Sequence, residues 1–189
     1  EGERIIIGAH WGLIPFWAKE AKIGFSMMNA RSETILEKRS FAKPFKERRC
    51  LIPVDGVYEW KPGEGKTKTP FFIHRPDDGL FAFAGIWTTW TSPEGKEIES
   101  CSIITTSPNK MMAEIHDRMP VILPISTYDT WLRTPPEKAE TLTSLLVPLR
   151  DARCPHRDDG RGSCRRRQHR LRRDRTLSPL RSPSLNRSR

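Results

Sequence analysis

Leu51-Ile52-Pro53-Val54-Asp55-Gly56-Val57-Tyr58-Glu59-Trp60 is the stretch that decides the fold. An apolar run bounded by turn residues is typical of a buried strand, so we expect a strand that ends with the carboxylate of Glu59 between two aromatic side chains. A carboxylate in such a place is costly unless it is paired, hydrogen-bonded or protonated, and it suits a general acid or base. The alternative is that Glu59 points to solvent while Tyr58 and Trp60 pack inward, which strand alternation also allows.

Other apolar runs predict further strands on both sides of this stretch. They cover residues 5–7, 70–74, 80–90, 97–106 and 121–124, and residues 61–69 form a hairpin loop between two of them. Gly85 lies inside one strand and marks a bulge or a close approach of two backbones. Helical patterns cover residues 32–45, 108–113, 127–132 and 137–146.

Charge is distributed unevenly along the 189 residues. The net charge is +10, but residues 151–189 carry 13 arginines and four aspartates, which leaves only +1 on the first 150 residues. Any nucleic-acid surface on the body of the chain must therefore be a local patch. We expect a domain over residues 1–149 and a disordered, arginine-rich tail over residues 150–189. Such a tail either binds nucleic acid non-specifically or results from translation out of frame.

The four cysteines show neither a CxxC motif nor the spacing of metal ligands. We expect Cys50 and Cys101 to be buried small hydrophobic residues in a reducing compartment, and we expect no metal or other cofactor. No apolar run approaches the roughly 18 residues of a membrane span, and no signal peptide is visible. These features predict a cytoplasmic protein without membrane contact, and a monomer is the default expectation.

Aromatic and basic side chains in two early stretches are of the kinds that contact nucleic acids. Trp11 and Trp17 lie in a loop, either as core residues or as an exposed platform for unpaired bases. Asn29 and Arg31 alternate, so both face one side of an extended backbone. Arg31 can grip a phosphate there, although a turn asparagine and a surface arginine are the simpler interpretation. Arg39 lies on the polar side of the next predicted helix.

His116 and Arg118 alternate in the same way directly before a predicted strand. A lone histidine is usually structural, and that stays the simpler interpretation here, although the frame of Asp117 and Arg118 leaves a chemical role open.

Four stretches follow one another in a fixed order: Trp11-Gly12-Leu13-Ile14-Pro15-Phe16-Trp17, Asn29-Ala30-Arg31-Ser32-Glu33-Thr34, Asp55-Gly56-Val57-Tyr58-Glu59-Trp60 and Ile115-His116-Asp117-Arg118-Met119-Pro120. Together they closely resemble the SRAP (SOS-response-associated peptidase) family, over about residues 4–148. The resemblance implies an α+β fold, with a compact, mostly antiparallel β-sheet or barrel-like structure and a few flanking helices. It also implies a protein that recognises abasic sites in single-stranded DNA and links to them covalently, with an associated self-processing peptidase activity.

The roles of the family's residues transfer to this sequence one position at a time. Asn29 resembles the asparagine that orients the N-terminal residue and the sugar. Glu59 resembles the glutamate that moves protons during self-processing and imine formation, and His116 resembles the histidine that helps to open the deoxyribose ring. Arg31, Arg39 and Arg118 resemble the arginines that grip phosphates in the family. Trp11 and Trp17 lie in the loop that, by the same resemblance, abuts the bases next to the lesion.

The reactive group of the family is a cysteine directly after the initiator methionine. Its amine forms an imine with the ring-opened abasic aldehyde, and its thiol then closes a thiazolidine. The chain opens on Glu1, so the resemblance implies that the family's N-terminal segment, with its Cys-Gly-Arg, is missing. Because Cys50 and Cys101 have no free α-amine, we expect this polypeptide to form no heat-stable adduct with abasic single-stranded DNA.

Two other functions stay open. Asn29, Glu59 and His116 can serve a cysteine peptidase that acts on other proteins. Alternatively, the tryptophan loop and the arginines form a non-catalytic module that binds single-stranded DNA, and Glu59 is merely structural. A Glu59→Gln change separates the alternatives, because only an enzyme loses its chemistry while it keeps DNA binding.

Overall fold

A main β-sheet with helices on one face forms the body of the protein, as seen in a computed structural model that describes residues 4–150. The strands are β1 (His10–Trp11), β2 (Asn29–Arg31), β3 (Arg49–Val54), β4 (Gly56–Pro62), β5 (Lys68–His74), β6 (Phe81–Thr91), β7 (Glu97–Thr106), β8 (Met119–Pro120) and β9 (Ile122–Leu123). The α-helices are α1 (Arg39–Glu47) and α2 (Tyr128–Arg133). Short 3-10 helices cover Ala21–Ser26, Ser32–Thr34, Met112–Glu114, Ile125–Thr127 and Pro136–Leu145.

The main sheet is organised around the antiparallel pair β6 and β7. β3 adds to β6 in antiparallel fashion, while β1 and β2 run parallel to β7 along its other edge. Where β6 and β7 diverge, Val121 fills the gap: its amide donates to the carbonyl of Ile104 at 2.8 Å, and its carbonyl accepts from the amide of Ala84 at 2.9 Å. The predicted α+β class is confirmed, and the sheet is open rather than closed into a barrel.

One face of the sheet forms the core. Phe45 of α1 and Trp131 of α2 meet edge to face, with ring centroids 5.8 Å apart. Ala30 of β2 and Ile104 of β7 are direct partners, and both are fully buried in this core. Because side chains alternate along a strand, the neighbours of Ala30 in β2 must face the opposite side of the sheet.

Gly85 is the close-approach point that the sequence predicted. A Cβ atom at this position would lie 2.7 Å from Cδ1 of Ile52 and 2.8 Å from the sulfur of Cys50. Both side chains belong to β3, the neighbouring strand, so the packing of β3 on β6 depends on the absent side chain.

The stretch from Leu51 to Trp60 does not form one strand, as the sequence analysis predicted, but two. The first part, β3, ends at Val54 in the main sheet, and the chain then turns at Asp55 and continues as β4 in a separate two-stranded sheet with β5. The turn is close-packed, since a Cβ on Gly56 would lie 2.3 Å from the ring of Phe72. The hairpin of β4 and β5 therefore leaves the main sheet and takes Glu59 with it.

Several predicted boundaries are wrong for local reasons. Residues 5–7 are exposed and form no strand, so the isoleucine run alone does not produce pairing. The helix predicted over residues 32–45 is divided, because Lys38 has an extended backbone (φ −77°, ψ 117°) between a 3-10 turn and α1. Residues 108–113 give a 3-10 turn at Met112–Glu114, residues 121–124 only the short strand β9, and residues 137–146 a 3-10 helix. The predicted tail, beyond Arg150, lies outside the described residues.

Candidate functional site

Glu59 and His116, which are far apart in the sequence, line one open cavity of about 350 Å³. Trp60 and Lys68 complete its lining. The hairpin of β4 and β5 contributes three of these four side chains, and the loop before β8 contributes the histidine. The cavity thus combines a carboxylate, an imidazole, an ammonium group and an indole, which are the components of general acid–base chemistry on an anionic substrate.

The orientation of Glu59 follows from alternation along β4. Glu59 is half-buried, whereas its neighbours Tyr58 and Trp60 are 46% and 51% exposed. The alternative in which the two aromatic side chains pack inward and the carboxylate faces solvent is therefore wrong. Glu59 is paired with Phe71 of β5, and this register fixes the position of Glu59 along the hairpin.

Lys68 is a residue of the cavity that the sequence analysis missed. The sequence predicts a hairpin loop here, but β5 begins at Lys68, which pairs with Pro62 at the loop end of the hairpin. A lysine in a stretch rich in lysine, glycine and threonine gives no signal of its own. Only the register of the two strands brings its amine to the cavity.

His116 has two neighbours at the same ring nitrogen. Its Nδ1 lies 3.1 Å from the main-chain nitrogen of Arg118 and 3.0 Å from Oδ1 of Asp117. These contacts require different protonation states, since Nδ1 accepts from an amide only without a hydrogen and donates to a carboxylate only with one. The amide contact governs the neutral ring, because an amide can only donate, whereas the side chain of Asp117 is 90% exposed and well solvated.

Arg118 is held by a two-pronged ion pair. Its Nη1 and Nη2 donate to the two carboxylate oxygens of Glu33 at 2.7 and 2.9 Å, and Nη2 also donates to the carbonyl of Thr105 at 2.7 Å. The hydrogen bond from Arg118 lowers the pKa of Glu33 from its usual value of 4.5 to about 2. The Nε of Arg118 is buried and has no partner among the described residues. A phosphate contact by Arg118 is therefore limited to the guanidinium hydrogens that Glu33 and Thr105 leave unused.

Asn29 and Arg31 lie on β2, and both are exposed on the side of the sheet opposite the core. Arg31 is the direct partner of Thr105, whose carbonyl accepts from Arg118. Asn29 is the partner of Ile103 and is not among the side chains that line the cavity. The structure thus brings Glu59 and His116 together and places Asn29 on a neighbouring strand.

The tryptophan loop carries partly exposed aromatic rings, and cations lie beside two of them. Trp11 is 49% exposed and donates from Nε1 to the carbonyl of Met28 at 2.9 Å, and Trp17 is 39% exposed with the guanidinium of Arg39 5.7 Å from its ring. Neither is a core residue, which excludes one of the two interpretations of this loop. Two further exposed rings that the sequence did not indicate are Phe16, with Lys43 5.9 Å from its ring, and Phe25.

The cysteines Cys50 and Cys101 are half-buried and free. Desolvation, with the nearby Cys101 as a second cause, raises the pKa of Cys50 to about 12, and desolvation also raises the pKa of Cys101. Because the thiolate is the reactive form, neither thiol is a good nucleophile. Within residues 4–150 no group of three or more His, Cys, Asp or Glu side chains is arranged to hold a metal ion, and no helix in this range can span a bilayer.

The family model described as SOS response associated peptidase (SRAP) matches residues 1–156. Among curated proteins, the chain is 51% identical over 138 residues to the abasic site processing protein YoqW of Bacillus subtilis, covering 73% of this chain and 62% of that protein. It is 37% identical over 150 residues to the abasic site processing protein HMCES of Rattus norvegicus, covering 64% of this chain and 42% of that protein. The chain thus spans less than two thirds of the length of these relatives.

Solved structures show the same fold. A protein from Bacteroides thetaiotaomicron superposes with a TM-score of 0.68 at 40% sequence identity, covering 74% of this chain and 63% of that one. A protein from Bordetella bronchiseptica superposes with a TM-score of 0.65 at 27% identity, covering 75% of this chain and 71% of that one.

Proposed function

Because the chain belongs to the SOS response associated peptidase (SRAP) family, we propose that it recognises abasic sites in single-stranded DNA and moves protons on the exposed sugar. The observation that carries the proposal is the shared cavity of Glu59 and His116, with Lys68 beside them. The names of the relatives YoqW and HMCES, both abasic site processing proteins, support the choice of substrate.

The two central side chains suit the opening of the sugar ring. An abasic deoxyribose is a closed hemiacetal, which opens when one group removes the proton of the C1′ hydroxyl and another protonates the ring oxygen. Glu59 takes the first role as a carboxylate, and His116 takes the second as a charged imidazolium that becomes neutral when it gives up its proton. The C1′–O4′ bond breaks, and the products are a C1′ aldehyde and a C4′ hydroxyl, with one proton gained by Glu59 and one lost by His116. Positioned acids and bases of this kind contribute about 10²–10⁴-fold each.

The surroundings suit a single strand. Lys68 lies in the cavity, and Arg31 and Arg39 are exposed cations that can contact backbone phosphates of the bound strand. The exposed rings of Trp60 and Trp17 offer stacking surfaces, each worth about 1–3 kcal/mol per base. An unpaired strand is the better substrate, since its bases are free to stack on them.

The covalent step implied by the family resemblance needs an amine and a thiol in the cavity. Cys50 and Cys101 do not supply them, because both lie within strands and burial raises both pKa values. A terminal cysteine delivered to the cavity would condense with the aldehyde, with loss of water, and its thiol would then add to the imine carbon. We assign the proton movements of both steps to Glu59.

Ring opening can be measured without the covalent step. A labelled single strand with one abasic site is mixed with an aminooxy probe, which reacts with the aldehyde alone, and the rate of oxime formation is followed. We expect the chain to accelerate the reaction, and Glu59→Gln and His116→Gln to reduce the acceleration by about 10²-fold or more. DNA affinity, measured by fluorescence anisotropy, should stay within a few-fold for both variants.

The result separates the competing functions. Full acceleration in Glu59→Gln would contradict the proposal and favour a binding module. Equal affinity for abasic and intact strands, with no acceleration, would remove the abasic site as the substrate and leave a peptidase to be tested on peptides.

A further inference from the structure

We infer that Glu33, which does not line the cavity, is a positioning residue that sets which ring nitrogen of His116 carries the hydrogen in the neutral imidazole. The role of that hydrogen in catalysis rests on the proposed function, whereas its position on the ring does not. The inference rests on two contacts that share Arg118: one joins Glu33 to the Arg118 side chain, and the other joins the Arg118 main chain to the imidazole.

The first contact ties three segments together. Glu33 lies in the 3-10 turn Ser32–Thr34, and both of its oxygens accept from the guanidinium of Arg118. The same guanidinium donates to the carbonyl of Thr105 at the end of β7. A bidentate pair fixes direction as well as distance, so the loop that carries Arg118 is held against the sheet at this point.

The second contact joins the main chain of Arg118 to the imidazole. The main-chain amide of Arg118 lies 3.1 Å from Nδ1 of His116 and can only donate. A neutral ring that accepts at Nδ1 must carry its hydrogen on Nε2. Since Nδ1 faces its own loop, Nε2 is the nitrogen left for the cavity shared with Glu59, and it arrives there as a donor. A neutral ring holds the sugar oxygen through this hydrogen bond but does not give the hydrogen up, because the proton transfer itself needs the charged ring, which carries hydrogens on both nitrogens.

A second carboxylate acts in the opposite direction. Oδ1 of Asp117 lies 3.0 Å from the same Nδ1 and accepts a hydrogen from it, which favours the other tautomer or the charged ring. The charged groups around His116 are Asp117 and Arg118 on its own loop and Glu59 and Lys68 from the hairpin. Glu33 and Asp117, although both are carboxylates, should therefore shift the tautomer in opposite directions.

The test is nitrogen NMR of the 189-residue chain with ¹⁵N-labelled histidine, at a pH where the ring is neutral. The chain has five histidines, and the loss of one set of signals in His116→Gln assigns the ring. In the unmodified chain, we expect the Nδ1 signal of His116 at the position of a nitrogen without hydrogen, and the Nε2 signal at that of a nitrogen with hydrogen.

The variants should then diverge. In Glu33→Ala, the two signals should move toward each other as the tautomers mix, and Glu33→Gln should lie between Glu33→Ala and the unmodified chain. Asp117→Asn should move the signals apart or leave them fully separated. Glu37→Ala, which removes an exposed carboxylate on the same segment, is the matched control and should change nothing.

Unchanged His116 signals in folded Glu33→Ala would overturn the inference, and so would a shift in Asp117→Asn toward mixed tautomers. If Glu33→Ala does not fold, Glu33→Gln and Asp117→Asn decide, because the first keeps the shape of the side chain and the second changes an exposed group. The oxime assay separates this inference from the proposed function. A tautomer change without any oxime acceleration by the unmodified chain refutes the function alone, whereas acceleration with an unchanged tautomer in Glu33→Ala refutes the inference alone.

Discussion

Replacing Arg49 with methionine should cost the domain about 3–4 kcal/mol of folding free energy. Arg49 is the first residue of β3 and is only 9% exposed, yet it has no acidic partner within residues 4–150. Its guanidinium instead donates to main-chain carbonyls near the C-terminal ends of both α-helices. These are Phe45 at 2.7 Å and Lys46 at 2.6 Å from α1, Trp131 at 2.6 Å from α2, and Thr134 just beyond it.

The magnitude follows from which of these contacts are buried. Those to Phe45 and Trp131 are buried, while the other two are partly buried and can regain water. Hydrogen bonds to a charged group are worth about 1.5–3 kcal/mol each, so two buried ones give about 3–6 kcal/mol. Methionine removes the cost of burying the charge, the same desolvation that lowers the pKa of Arg49, and this offsets part of the loss. The favourable interaction of a cation with two helix C-termini is lost as well.

Urea unfolding followed by tryptophan fluorescence measures the effect. With a slope of about 2 kcal/mol/M, the midpoint should fall by about 1.5–2 M at an unchanged slope. The matched control is Arg48→Met, one residue earlier. Arg48 is exposed, donates to Oγ1 of Thr89 at 3.1 Å and lies 4.9 Å from the ring centroid of Trp87, so its loss should cost only about 0.5–1 kcal/mol. A midpoint for Arg49→Met within error of that of Arg48→Met would refute the reasoning.

Three further predictions concern the stability at low pH, the cavity and the main sheet. Glu33→Gln should cost about 0.5–1 kcal/mol at neutral pH, a small value because the carboxylate is half exposed. Because the pKa of Glu33 is lowered in the folded chain, this contribution is complete above pH 4.5 and is lost as pH falls through about 2, so urea midpoints of the two proteins should converge there. Lys68→Gln should reduce by about one the slope of log affinity against log salt concentration for an abasic strand. Lys66 lies outside the cavity, so Lys66→Gln should leave this slope unchanged. Equal slopes for the two variants would remove Lys68 from the site. Gly85→Ala should cost about 1–3 kcal/mol in thermal unfolding through overpacking, against no measurable change for Gly8→Ala, which has no neighbour within 4 Å.

Local patterns were sufficient for the regular parts of the fold. The long alternating run of β7 was predicted at its observed ends, 97–106, and β6 to within one residue. Patterns failed where an element depends on distant partners. Residues 5–7 have strand-forming side chains but no pairing, and the helical pattern over residues 32–45 is broken at Lys38.

For the site, the sequence supplied the identities of the groups. The residues between 55 and 60 and between 115 and 120 supplied a carboxylate and an imidazole, and the hypothesis that they have a chemical role rested on the resemblance of the four motifs to the SRAP family. The sequence did not indicate Lys68, because a lysine in a polar loop is ordinary until strand register places it. Nor did it indicate that Arg118 is paired with Glu33, since that contact joins residues far apart in the chain.

The sequence by itself therefore determined the kinds of chemistry available, the two long central strands and the family. Tertiary structure alone decided what each of three cations contacts. Arg49 binds the ends of two helices, Arg118 pairs with Glu33, and Lys68 lines the cavity. The physical reason is that propensity and periodicity act over a few neighbouring residues. The partner of a charged side chain, by contrast, is fixed by strand register and loop closure, which bring together residues that no local pattern relates.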